Sequence, residues 1–199
     1  MSDILAFNEW GTDGIVVEDP GLINYITLQP RFVPKTGARY AGSRFHKSKI
    51  FIVERLMNKL MVPGHKAKKH WRSSGHICGK ANHVYTTVFD AFKLIESRTK
   101  KNPIEVFVKA LENAAPREEI LTIEYGGARY PKAVECAPQR RIDIALRYFV
   151  QGSYGKSFNT KKRLVESLAD ELINAYNLSP NSMAISKKNE VERQSDSAR

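Results

Sequence analysis

The chain has 199 residues, of which 42% are hydrophobic and 27% charged, and it carries a net charge of +11 with an isoelectric point near 9.7. That length and apolar content suit one soluble domain with its own core, and two distant cysteines, Cys78 and Cys136, form no disulfide framework and suit a reducing cytoplasm. No run approaches the ~18 apolar residues of a spanning helix, and the acidic N-terminus lacks the positive start and apolar run of a secretory signal, so no membrane partner is expected.

The charge is concentrated. Residues 1–30 hold five acids and no Lys or Arg, residues 31–80 hold thirteen Lys or Arg and the single acid Glu54, and the remainder is nearly balanced. A field drawn from one quarter of the chain points to a polyanionic partner rather than to a generally basic surface. Residues 1–30 show no sustained period and read as an acidic N-terminal extension with short ordered pieces, including a small strand at Gly14–Val17. "RFVPKTGARYAGSRFHKSK" follows, basic with interleaved aromatics, and its Pro and Gly content predicts an extended arm.

Apolar residues at Ile52, Leu56 and Leu60 predict a first helix from about Ser48 to Met61, ended by Pro63-Gly64. A polar basic loop runs over residues 65–80. Val84, Val88, Phe92 and Ile95 form the stripe of a second helix over 82–99. Asn102-Pro103, a cap residue followed by Pro at the first helical position, opens a third that stops before Pro116.

Leu121, Ile123 and Tyr125 then alternate with polar residues, and Gly126-Gly127 supplies the positive-φ turn of a β-hairpin over about 119–136. Two strands are marginal in water, so the base must lean on helices while the tip, with Arg129, projects. Pro138 starts a fourth helix, expected to end at Gly152 and Gly155. Leu164, Leu168 and Leu172 are the spine of a fifth. The last segment forms a poorly apolar helix that depends on a partner for order. Residues 31–199 thus predict a mainly α domain of about six helices with a protruding β-hairpin.

Three chemistries compete. His65, His70, His76, Cys78 and His83 cluster, but H-x4-H-x5-H-x-C fits no paired zinc pattern, so no metal or other cofactor is expected. Cys136 lies in the alternating apolar set of its strand and reads as a packed residue rather than a nucleophile, and no phosphate-cradling turn between strand and helix appears; an enzyme is not expected. Polyanion binding fits best. The arm supplies Lys35, Arg39, Arg44, Lys47 and Lys49, and the loop supplies Lys66, Lys68, Lys69, Arg72 and Lys80, with Trp71 able to stack on a base. Arg140 and Arg141 open a helix whose dipole there favours acids, and so are read as facing an external polyanion, with salt bridges to Glu135 or Asp143 as the alternative. Long irregular loops with aromatics suit folded RNA better than duplex DNA, which a recognition helix usually reads.

"KNPIEVFVKALENAAPREE", "YGGARYPKAVECAPQRR" and "ADELINA" resemble the small-subunit ribosomal protein S-seven family, and "EWGTDGIVVEDP" and "KKNEVER" resemble its archaeal and eukaryotic cytosolic branch. The blocks occur in order over nearly the whole chain. The resemblance implies a helical globule with a protruding hairpin, acting in the cytoplasm as a primary binder of small-subunit rRNA that nucleates the 3′ major, or head, domain. It implies rRNA contacts from the arm and the loop and from Arg140 and Arg141. It also puts the hairpin residues Gly126, Gly127, Arg129, Tyr130 and Lys132 near exit-site tRNA and mRNA, with neighbouring ribosomal proteins of the head and platform. Two departures stand out: "GKA" replaces a pattern whose third residue is often basic, and Ala137 stands where Ser or Arg is expected before Pro138.

Overall fold

In the computed structural model, which describes residues 4–39, 41–66, 69–72 and 77–199 (without the side chains of Lys66, Lys69 and His70), the predicted periods become six α-helices and a hairpin. The helices are α1 (Ile52–Leu60), α2 (Ala81–Thr99), α3 (Pro103–Ala114), α4 (Pro138–Ser157), α5 (Leu164–Tyr176) and α6 (Met183–Ser197). β1 (His65–Lys66) and β2 (Lys69–His70) form a two-residue antiparallel ladder within the basic loop, which has too little apolar alternation to announce a strand. β3 (Glu118–Tyr125) and β4 (Ala128–Glu135) form the hairpin.

The apolar stripes converge. Ile52, Leu56 and Leu60 of α1, Val88, Phe92 and Ile95 of α2, Phe107 and Leu111 of α3, Leu146 and Phe149 of α4 and Leu168 and Leu172 of α5 are all buried in one core. α5 packs on α2, α3 and α4, which makes it the central helix. Truncating one of these leucines to Ala leaves a cavity and costs about 2–5 kcal/mol. α3 starts as its sequence predicts: Asn102 Oδ1 accepts from Ile104 N at 3.0 Å, and Pro103 supplies the first helical φ.

Three expectations are corrected. No strand forms at Gly14–Val17. Ala6, Phe7, Trp10, Leu22 and Ile26 of the acidic segment are instead buried in the core, where Phe7 and Trp10 meet Phe89 and Phe92. Their spacing is irregular because the segment lies across helices rather than repeating along one, so no period reveals it. Gly152 and Gly155 do not end α4, which runs to Ser157. A Cβ on Gly152 would lie 2.9 Å from Met183 Cβ and 3.0 Å from the Glu171 carboxyl carbon, so this glycine admits the start of α6 against α4.

The final helix also finds its order within the chain. Ser182 caps it, Ala184 and Ile185 are buried, and the buried Glu171 Oε1 accepts from Ser182 Oγ at 2.8 Å and Ala184 N at 3.1 Å. α6 then runs beside β3: Glu192 accepts from Arg117 N, Arg199 pairs with Glu118, and Ala133 N donates to Ala198 O. The hairpin base therefore leans on a helix, as two isolated strands require, while Leu121–Tyr130 stands exposed.

Candidate nucleic-acid interface

The arm is irregular, as its Pro and Gly content predicts, but it is pinned at two points. Thr36 donates from both N and Oγ1 to the buried Glu54 Oε1, at 2.8 and 2.7 Å. Downstream, a short 3-10 turn at His46–Lys49 is tied to α4 by Lys47 Nζ–Asp143 (2.9 Å) and Ser48 Oγ–Gln139 (2.7 Å). Between these anchors Arg39 and Arg44 are exposed, and just outside them so are Lys35 and Lys49. Buried attachment with exposed cations is what a preorganised phosphate contact needs, since little backbone entropy remains to be lost on binding.

Asp143 is the centre of a wider cluster. Arg55, buried, donates Nη2 to it at 3.2 Å and Nη1 to Tyr25 O. Burial alone would raise the Asp143 pKa, but hydrogen bonds from Lys47 and Arg55 hold it below the usual carboxylate value. Lys59 shows the opposite strain. Burial first, and then the repulsion of Lys47, Arg147 and Arg55, lower its pKa despite the attraction of Asp143. Two cations thus pair with Asp143, and Lys59 and Arg147 crowd beside them, leaving a local excess of positive charge.

The cluster continues along α4. Gln151 Nε2 donates to His65 O at 2.7 Å, and Arg72 Nη1 donates to Gly155 O at 3.1 Å while its guanidinium lies 4.7 Å from the Trp71 ring centroid. Trp71 is 59% exposed and lines a groove with Arg72, Arg147 and Tyr148. Positions 140, 143, 147, 151 and 155 succeed one another at helical spacing, so arm, helix and loop present their cations along one edge about 22 Å long. Lys80, exposed, sits at the start of α2, which borders the arm. Lys68 and His76 lie outside the described residues, as do the side chains of Lys66, Lys69 and His70. Lys59 and Arg147 belong to this edge although the sequence reading passed them over; the signal for Arg147 was its helical spacing from Arg140 and Asp143.

Arg141 is a correction, whereas Arg140 stays exposed. Arg141 does not face outward: it is 8% exposed, donating Nη2 to Asp19 at 2.6 Å and Nε to Pro116 O at 3.0 Å. Arg140 makes a two-pronged pair with Glu119, Nε–Oε1 2.6 Å and Nη2–Oε2 2.6 Å. Neither partner is Glu135 or Asp143; one comes from the N-terminal segment and the other across the hairpin base. The Cys136 thiol is buried, and burial together with nearby Glu119 pushes it up to about 11, so it stays protonated and inert.

At the hairpin tip Gly126 and Gly127 have φ of 58° and 81°, the left-handed pair of a tight two-residue turn. Tyr125, Arg129, Tyr130 and Lys132 are exposed around it, with Glu124 3.6 Å from Arg129. Among the described residues no group of three His, Cys, Asp or Glu side chains could hold a metal ion, and no helix is long and apolar enough to cross a membrane.

The sequence matches the family described as ribosomal protein S7p/S5e over residues 23–199. It is 52% identical over 193 residues to the small ribosomal subunit protein uS7 of Nanoarchaeum equitans, covering 97% of this chain and 98% of that protein. It is 43% identical over 197 residues to uS7 of Archaeoglobus fulgidus, covering 99% and 96%.

Proposed function

Since the chain belongs to the ribosomal protein S7p/S5e family, we propose that it is a non-catalytic structural protein of the small ribosomal subunit in the cytoplasm, a primary rRNA binder that nucleates the 3′ major domain. The observation that carries this reading is the edge along α4, where Lys47 and Arg55 pair with Asp143, Lys59 and Arg147 crowd beside them, and the Trp71–Arg72 pair lies at the far end. Such an edge tracks phosphates. Each contact releases condensed counterions, and Trp71 adds a stacking platform for an unpaired base. Because arm and loop come from either side of α1, RNA strands held by both are held together, and the binding free energy stabilises the folded RNA.

The hairpin tip serves a different ligand. Gly126, Gly127, Arg129, Tyr130 and Lys132 project beyond the globule, and this reading has them reach toward exit-site tRNA and mRNA, with head and platform proteins as neighbours. Arg141 positions rather than binds, since its guanidinium is already coordinated inside the protein.

Titration of an rRNA fragment from the head domain at 50–200 mM salt tests the reading. Affinity is expected to fall by ~10³-fold or more over that range, as for six or more phosphate contacts. The combined change Lys35→Gln, Arg44→Gln, Lys49→Gln and Lys80→Gln is expected to flatten the slope by about 3. A salt-independent affinity, or equal affinity for an arbitrary RNA duplex, overturns it.

A further inference from the structure

Glu54 is the single acid of residues 31–80, and it is only 3% exposed. Its Oε1 accepts from Thr36 N and Oγ1, whereas its Oε2, also buried, has no hydrogen-bond partner among the described residues. The other buried glutamates each meet a lysine: Glu112 lies 3.8 Å from Lys109, and Glu171 lies 2.7 Å from Lys156. Among the described residues Glu54 meets none. A buried carboxylate oxygen without a donor is costly, and folded proteins keep few of them. Glu54 also lines a groove of about 680 Å³ between the arm, α1 and the start of α2, a size typical of ligand sites. Glu54, Met57, Asn58 and Met61, spaced three or four apart, form its α1 wall. Tyr85, whose ring centroid is 5.0 Å from that of Phe7 and which stacks on Phe89, closes the α2 end. Methionine side chains repack readily, which admits a head group to the covered Oε2.

We propose that this groove receives one arginine side chain of a neighbouring protein in the small subunit, whose guanidinium supplies the donor that Glu54 Oε2 lacks. The proposal rests on the ribosomal reading above. Charge complementarity selects the occupant. A phosphate strand is repelled by the carboxylate at the groove's floor. A polybasic tail is repelled at its rim, where Lys35 lines the groove and Arg39 is tied to Thr36 O at 3.2 Å. What fits is a single cation on an apolar stem, the stem lying along Met57 and Met61 and the head reaching Glu54. Guanidinium suits the site better than ammonium. It is more weakly hydrated, and its fork of five donors can serve Oε2 together with the side-chain carbonyls of Asn58 and Asn82, which line the same groove. The Tyr85 ring adds a face for the cation.

The test titrates the full chain, with isotope-labelled methionine methyls, against N-acetyl-arginine amide. The uncharged isostere N-acetyl-citrulline amide and spermidine are run beside it. The Met57 and Met61 signals are expected to move saturably with the arginine probe and not with citrulline, while Met183, in a different groove, stays still. Glu54→Gln keeps an oxygen for Thr36 but removes the charge, and is expected to weaken binding about tenfold or more. Asn58→Lys changes an exposed position, leaves the Thr36 bonds intact and sets a like charge in the groove; it is expected to do the same. Silent Met57 and Met61 signals, an equal response to citrulline, or undiminished affinity in either variant overturns the proposal. Tighter binding of spermidine assigns the groove to free polyamines and also overturns it. A photoreactive p-benzoylphenylalanine at position 58, in purified small subunits, is expected to crosslink to an arginine-bearing peptide of another subunit protein; crosslinks to rRNA alone overturn the proposal. Failure of the protein to enter small subunits at all is a separate result and sinks the ribosomal reading itself.

Discussion

At the first turn of α4, Arg140 and Arg141 meet the positive end of the helix dipole; just before the first turn of α5, Lys161, Lys162 and Arg163 do the same. In sequence the two starts look alike. In the folded protein, acids distant in sequence reach the first: Asp19 from the N-terminal segment and Glu119 from β3. The second receives Asp170 and Glu166 from its own helix, and Lys161 receives no carboxylate among the described residues. A cation at a helix start is thus either a tie for a distant segment or a handle for an external anion, and burial separates the two: Arg141 is buried and Lys161 exposed.

The largest test of that contrast is Arg141→Ala. Asp19 is half-buried, so breaking the pair and the Arg141–Pro116 hydrogen bond costs about 1–3 kcal/mol, equivalent to a fall of several °C in melting temperature for a domain of this size. Intrinsic RNA affinity of the folded fraction should be unchanged; an unaltered Tm with weakened RNA binding would reverse the assignment. Acid should act through the same tie. The pKa values of Asp19 and Asp143 are lowered on folding, by hydrogen bonds from Arg141 and Gly21 N in one case and from Lys47 and Arg55 in the other, against opposing burial. Their contribution is complete above the ordinary aspartate pKa of about 3.9 and is lost as pH falls below it through the lowered folded values. Melting temperature should accordingly drop below about pH 4, less steeply in Asp19→Asn than in wild type.

Smaller effects sharpen the contrast. Arg140→Gln removes a partly exposed pair and should cost less than about 1 kcal/mol in chemical denaturation. Lys59→Gln removes a cation that burial and like charges disfavour; stability should hold or rise slightly while RNA affinity falls a few-fold. At the α5 start, Lys161→Gln should change stability by no more than about 0.5 kcal/mol, its effect appearing only in RNA salt dependence.

Features with a local cause were readable from the chain. The stripe Ile52–Leu56–Leu60, the Asn102-Pro103 cap and the Gly126-Gly127 turn each follow from a period or a dihedral requirement and stand as expected. The glycines of α4 misled because a helical glycine can mark an end or a close approach, and only the position of Met183 and Glu171 distinguishes them. The acidic segment misled because Phe7, Trp10 and Leu22 pack across helices and show no period of their own. Of the interface, the cationic arm and loop were legible as charge; Lys59 and Arg147 were not, because each looks like an ordinary solvated helix residue until arm, α1 and α4 meet around Asp143.

The sequence by itself determined the helices, the hairpin and the sign and location of the charge, because hydrophobic period, turn chemistry and formal charge are properties of short segments. Tertiary structure alone decided which cations face inward, since whether an arginine meets a carboxylate or the solvent depends on groups more than a hundred residues away, as Asp19 is from Arg141.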